Sequence, residues 1–190
     1  PLNATLGFKV SPVNGLWFNI FGGYRISKDE LFCNLVDADG YYFTHFLQDK
    51  AKTAYGGAEL KYGYKDWFDA SLKGTFYSWK TDNENEELYL MTKPKFELNF
   101  YAEAKVFEGL KVYLGYEYVQ RKEYVIEEGN SSRDFGLGNI SNLSVGASYT
   151  FLKDLSVFGR VNNLLNKQYY YEYGYPAEKL NVLAGLSLVF

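Results

Sequence analysis

The last nine residues run Val182-Leu183-Ala184-Gly185-Leu186-Ser187-Leu188-Val189-Phe190, and their character alternates. A strand sends successive side chains to opposite faces, so Val182, Ala184, Leu186, Leu188 and Phe190 form one wholly apolar face. Upstream the same period recurs. Phe96, Leu98, Phe100, Ala102 and Ala104 oppose Lys95, Glu97, Asn99, Tyr101, Glu103 and Lys105. Leu110, Val112, Leu114, Tyr116 and Tyr118 oppose Lys111, Tyr113, Gly115 and Glu117. Further alternating runs begin near Leu2, Leu16, Ala54, Phe68, Leu143 and Leu155. The pattern predicts about nine strands and no helix.

The connections between these runs are of two kinds. Pro12–Gly15, Tyr64–Asp66, Phe107–Gly109 and Leu152–Asp154 are short and carry turn residues such as Asn14-Gly15. Ser27–Lys50, Lys80–Thr92, Lys122–Gly138 and Leu164–Glu178 are long. Short and long alternate strictly, as in bacterial outer-membrane barrels, where short turns face the periplasm and long loops the outside. The expected fold is therefore all-β, an antiparallel transmembrane β-barrel.

Composition bears on the alternatives. Mean hydropathy is −0.30, and no apolar run approaches the roughly 20 residues that a membrane helix needs. Barrel strands need only about 9–11 residues, half of them facing inward. Aromatic residues make up 19% of the 190 residues, which fits strands better than helices. A net charge of −3 gives no footprint for nucleic acid, which is not an expected partner. The single cysteine, Cys33, allows no intrachain disulfide. Pro1-Leu2-Asn3-Ala4-Thr5-Leu6 has neither the charged nor the apolar region of a signal peptide. A complete single-chain barrel has an even strand count with both termini at the periplasm. About nine strands, the last running down to the periplasm, put the first terminus outside. The expectation is a part of a larger barrel.

One stretch adds a resemblance. Val161-Asn162-Asn163-Leu164-Leu165-Asn166-Lys167-Gln168-Tyr169, then Gly174-Tyr175-Pro176, then a strand ending in Phe190, resembles the C-terminal signature of TonB-dependent outer-membrane receptors. Leu165 stands where that family usually has Phe, and Glu178-Lys179 where Gly-Arg often precedes the last strand. The resemblance covers about the last thirty residues and implies residues 1–190 are the C-terminal strands of a barrel of roughly 22 strands. It further implies an N-terminal plug and barrel segment outside this chain, and TonB as a partner. The implied setting is the outer membrane of a Gram-negative bacterium, with lipid and lipopolysaccharide around the barrel. The implied ligand is a scarce nutrient: a small molecule such as a metal chelate or cobalamin, or an oligosaccharide.

Chemistry-bearing residues are sparse. His45, the only histidine, shares a long connection with Asp37 and Asp39, but catalysis needs a base, an orienting group and usually a nucleophile in reach. Asp37-Ala38-Asp39-Gly40 begins like a calcium loop and lacks its later carboxylates. No catalytic residue, metal site, cofactor or enzymatic activity is expected. The acidic run Asp82–Glu87 suits a solvated loop tip, or cation bridging at a lipopolysaccharide surface. Tyr42, Phe46, Tyr171 and Tyr173, in aromatic-rich long loops, are the candidate ligand contacts; loop packing is the competing role. Lys95, Glu97, Glu103, Lys105, Lys111 and Glu117 are expected to face the lumen. Their mixed signs suit a polar plug better than an ion-selective pore. Two other readings remain open: a self-contained small channel or porin-like barrel, and a soluble lipocalin-like barrel with the apolar face inside.

Overall fold

Alternating residues that favour strands, joined by turns that favour hairpins, fold into one meandering antiparallel sheet. In the computed structural model the described residues are 2–35, 43–82, 86–122, 125–128, 131–134, 137–152, 155–172 and 175–189. Nine strands form the sheet: β1 (Leu2–Val13), β2 (Leu16–Leu35), β3 (Phe43–Tyr64), β4 (Phe68–Thr81), β5 (Pro94–Phe107), β6 (Leu110–Arg121), β9 (Ile140–Leu152), β10 (Leu155–Asn162) and β13 (Asn181–Leu188). The small hairpins β7 (Val125–Glu128) with β8 (Ser131–Asp134), and β11 (Tyr170–Glu172) with β12 (Tyr175–Pro176), lie in the long connections. Strand order follows the chain, and β1 and β13 are the two edges, so the sheet is a partial barrel.

The register gives each face a single character. Leu2↔Ile26, Leu6↔Gly22, Ile20↔Ala58, Leu60↔Leu72, Phe100↔Tyr116, Leu114↔Val145 and Val157↔Leu186 are opposed pairs on the apolar face. Among the described residues nothing covers it: Leu6 is 83% exposed, Phe8 68% and Leu186 71%. A soluble barrel would bury those side chains. The largest buried side chains are instead Tyr89, Met91, Ile140, Gln48 and Asn163, all toward the long-loop end. The exposed apolar face marks a fold made for lipid, and the soluble alternative falls.

The short-turn end is built repeatedly in one way. Gly15 holds φ +83° and Gly109 φ +86°, a region open to glycine at little cost. The Gly63 N–H donates to the Gly15 carbonyl at 2.7 Å, and the Thr150 N–H to the Gly109 carbonyl at 2.9 Å. Lys105 N–H likewise reaches the Trp67 carbonyl at 2.7 Å. Each of these turns is thus bonded to the next hairpin. Aromatic rings gather at the same end: Tyr62–Phe68 at 6.3 Å, Tyr64–Trp67 at 5.5 Å and Phe107–Tyr149 at 6.0 Å. Such a collar is what an apolar band flanked by aromatic girdles requires.

Two expectations need correction. The Ser27–Lys50 connection is mostly strand, because β2 and β3 stay paired out to Leu35↔Phe43. This extension runs beyond the apolar band, where pairing no longer demands apolar alternation. The ladder skips Asp29 and Asp49, and Asp29 has φ +54°. Beyond that break Gln48 is fully buried and Glu30 bonds Ser27, so the period of two is interrupted. The second correction is a helix, α1 (Glu86–Met91), in the Lys80–Thr92 connection. At six residues it is too short to show a period in the sequence.

Candidate functional site

The charged face carries the functional geometry. Five aromatic residues stand directly opposite glycines on it: Phe21↔Gly57, Tyr55↔Gly23, Tyr101↔Gly115, Tyr113↔Gly146 and Phe158↔Gly185. At four of these glycines a Cβ would fall 2.4–2.8 Å from the ring's Cζ. Glycine therefore lets each ring lie flat across its neighbour strand. The wall is lined by ring faces, with polar side chains between them.

Two recesses open on this face. One, of about 240 Å³, lies on β2, β3 and β4 among Arg25, Thr53, Tyr55, Lys73, Tyr77 and Trp79. The Lys73 ammonium sits 5.3 Å over the Phe21 ring. Thr53 is 2% exposed and its hydroxyl has no hydrogen-bond partner among the described residues. Neither Arg25 nor Lys73 is in an ion pair among the described residues. The second recess, of about 520 Å³, lies between Tyr101, Tyr113, Glu117, Asn142, Ser144 and Arg160. There the Arg160 guanidinium sits 6.0 Å over the Tyr113 ring.

Helix α1 folds over the long-loop end beside the smaller recess. Tyr89 packs edge-on against Phe32 at 5.5 Å and Trp79 at 6.3 Å. Its hydroxyl donates to Glu30 Oε2 at 2.7 Å, and Ser27 donates to the same oxygen at 3.1 Å. Lys93 Nζ meets Glu30 Oε1 at 2.5 Å and lies 4.4 Å over the Tyr89 ring. Trp79 Nε1 donates to the Pro94 carbonyl at 2.7 Å. Burial, then the Glu30 carboxylate, raises the Tyr89 phenol well above its ordinary range. A raised folded value means this contribution is whole below the ordinary tyrosine range and is lost only as pH climbs through the raised one. Replacing Lys93 with methionine should free the clamp. Charged hydrogen bonds of this kind are worth about 1.5–3 kcal/mol, so amide exchange in α1 should speed up on the order of tenfold or more. Hydrogen exchange by mass spectrometry checks this, with amides of β5 and β6 expected to stay unchanged.

The last long connection is pinned from inside. Asn163, 1% exposed, donates from Nδ2 to the Lys167 and Glu178 carbonyls at 2.7 and 3.1 Å and accepts the Lys167 N–H at 3.2 Å. Its own N–H donates to Asn142 Oδ1 at 3.1 Å, and the Leu180 N–H donates to Asn166 Oδ1 at 3.2 Å. Asn163 and Asn166 both hold positive φ, near +50°. The asparagines of the motif thus tie the connection into a fixed turn. Arg121, itself buried, donates to the Tyr170 carbonyl.

Of the candidate ligand contacts, Tyr42 and Tyr173 lie outside the described residues, and so does the side chain of Phe46, whose backbone opposes Phe32. Tyr171 is half exposed; its hydroxyl donates to Glu117 Oε2 at 3.2 Å, and its ring meets Tyr169 edge-on at 5.5 Å. Burial and the Glu117 charge raise its phenol. Glu97, Glu103, Lys105, Lys111 and Glu117 share the recessed face by register. Glu97 accepts from Tyr77 at 2.8 Å. Glu103 takes Tyr101 at 3.0 Å and Lys111 at 2.9 Å. Lys105 lies 3.6 Å from Asp66. Lys95 is exposed at an irregularity between Pro94 and Phe96 and has no directly opposed residue. His45 stands opposite Cys33 along the β2–β3 ladder. Among the described residues no group of acidic, histidine or cysteine side chains is placed to hold a metal. The sequence reading missed Arg25, Thr53, Lys73 and Trp79. Alternation places Arg25, Thr53 and Lys73 on the polar face, while Trp79 lies beyond the alternating run that ends at Tyr77; the charge of β5 and β6 is denser than theirs.

No family model matches this sequence, and no curated protein matches it either. Solved structures share its fold. The pyoverdine outer-membrane receptor FpvA of Pseudomonas aeruginosa PAO1, bound to pyoverdine, superposes with a TM-score of 0.70 at 16% identity, covering 99% of this chain and 29% of that one. The ferric enterobactin receptor PfeA of Pseudomonas aeruginosa, in complex with enterobactin, gives 0.65 at 17%, covering 98% and 31%. The copper transporter OprC gives 0.67 at 11%, covering 99% and 31%. The chain thus spans less than a third of each. These neighbours are TonB-dependent siderophore and copper receptors, Gram-negative outer-membrane barrels, and the resemblance read from the last thirty residues holds at the level of the fold.

Proposed function

We propose that this chain is the C-terminal part of the barrel of a TonB-dependent outer-membrane receptor that imports an anionic small-molecule nutrient. Transport rather than catalysis is the role, as in the neighbours of the same fold. The observation that carries the ligand class is the smaller recess: two cations in no ion pair and a buried threonine hydroxyl with no hydrogen-bond partner, both among the described residues, and ring faces on one wall. Exposed cations that line a recess attract an anion, and planar rings add contact area for an aromatic or chelate ligand. FpvA and PfeA were solved with the siderophores pyoverdine and enterobactin, which is in keeping with such a ligand. The charged side chains of β5 and β6, including Lys95, would face the lumen and meet a plug from outside this chain. Tyr171, with Tyr42, Phe46 and Tyr173, would form the outer contacts of the ligand. The unpaired edges β1 and β13 weigh against a self-contained channel.

The test is binding by the full-length receptor carrying Arg25→Gln and Lys73→Gln together, against a panel of ferric siderophores. Loss of two charge-assisted contacts should weaken the bound member about tenfold to a hundredfold, with normal insertion. A variant that binds as the parent does, while Tyr171→Ala abolishes binding, would move the ligand outward to the loops.

A further inference from the structure

The outward face changes character at the long-loop rim of β2, β3 and β4. Below the rim it carries no charge, with Leu60↔Leu72, Ile20↔Ala58, Gly22↔Gly56 and Tyr24↔Ala54 in successive rows. Directly above, Ile26↔Lys52↔Lys80 form one row across three strands, and Lys28↔Lys50 the next. The intervening Ser27, Ala51 and Thr53 are buried at 6%, 1% and 2%, on the opposite face. Four lysines are therefore gathered at the upper edge of the apolar band, on the same side as the lipid-facing residues. Lys52 meets Asp82 at 3.4 Å; Lys28, Lys50 and Lys80 are in no ion pair among the described residues. Among the described residues the other carboxylates close along these strands are Asp29 and Asp49, at the ladder break beyond the second row, and Glu30 beyond it, which is paired with Lys93.

We propose that this lysine cluster is a binding site for the phosphate groups of the outer-leaflet glycolipid, lipopolysaccharide. The inference rests on the barrel reading, which puts the apolar face in lipid and the long loops outside. At that height an ammonium on a flexible stem meets the headgroup layer while its methylenes stay against acyl chains. Four like charges side by side repel unless anions sit between them, and a lipid with two phosphates supplies those anions. The apolar band immediately below takes the acyl chains of the same molecule. The cluster thus offers both halves of an amphiphile's surface in one continuous patch.

The full-length protein is compared with a variant carrying Lys28→Gln, Lys50→Gln, Lys52→Gln and Lys80→Gln, and with a charge-matched control carrying Lys9→Gln, Lys61→Gln, Lys65→Gln and Lys105→Gln. All three are first inserted into phosphatidylcholine vesicles, with heat-dependent gel mobility as the readout. Failure of the parent there sinks the barrel reading, and this site with it. Retention of bisphosphorylated lipid A is then measured in detergent at low and physiological salt. The cluster variant should retain it about tenfold or more weakly than parent and control, and the difference should vanish with dephosphorylated lipid. Equal retention by all three proteins, or an equal loss in the control, overturns the proposal.

Discussion

Leu98→Lys is expected to cost about 2–4 kcal/mol of folding stability in a bilayer, the usual charge for a lysine near the midplane of a barrel's lipid face. Leu98 stands between Gly74 and Tyr118 on the apolar face, in the same row as Ile20 and Ala58. Asn99, the next residue, stands between Lys73 and Glu117 on the recessed face. Asn99→Lys should therefore cost under about 1 kcal/mol, because its charge meets water and a carboxylate. Urea unfolding in phosphatidylcholine vesicles, followed by tryptophan fluorescence, measures both. Two equal costs would mean that the faces are not divided between lipid and lumen. The comparison is sharp because one residue along a strand reverses the environment.

Gly15→Ala should be nearly as damaging, by a different route. Its φ of +83° costs an alanine roughly 1–2 kcal/mol. An added Cβ would also fall 2.1 Å from the Gly63 carbonyl oxygen, on backbone that cannot swing aside as a side chain would. Displacing β3 there strains the bond from Gly63 N–H to the Gly15 carbonyl, worth about another 1 kcal/mol. The expected total is about 2–3 kcal/mol in the same unfolding assay. Gly159→Ala is the reference: nothing lies within 4 Å of its Cβ position, and its loss should stay within about 0.5 kcal/mol.

How much of this was legible beforehand depends on what each segment packs against. Strands β5 and β6 read cleanly because each residue has one environment, lipid on one side and polar wall on the other. The turns at Gly15 and Gly109 read cleanly because positive φ selects its residue. The outer parts of β2 and β3 did not, since strand pairing beyond the membrane band needs only backbone partners, and the break at Asp29 shifts the period. Helix α1 was invisible for a related reason. Its stability comes from Tyr89 filling a gap between Phe32 and Trp79, residues more than fifty positions and ten positions away respectively, and a six-residue segment has little helical preference of its own. Among site residues, the face of Glu97, Glu103 and Glu117 followed from parity alone. The grouping of Arg25, Thr53 and Lys73 required knowing that three strands pair in chain order with little offset. The asparagines near Asn163 were noticed as a signature, but their hydrogen-bonding role emerges only when both ends of the connection are in place.

Chain-order pairing has a consequence for how such a sheet comes into being. Each strand of the nine-stranded sheet pairs with the sheet strands before and after it in the chain, with only the small hairpins β7–β8 and β11–β12 intervening. Low contact order of this sort favours growth by addition of whole hairpins. The bonds from Gly63 to Gly15, from Lys105 to Trp67 and from Thr150 to Gly109 give that growth a ratchet, since each completed turn holds the end of the next strand, beside the turn that follows it. An assembly machine working on this chain would need to guard only one growing edge at a time.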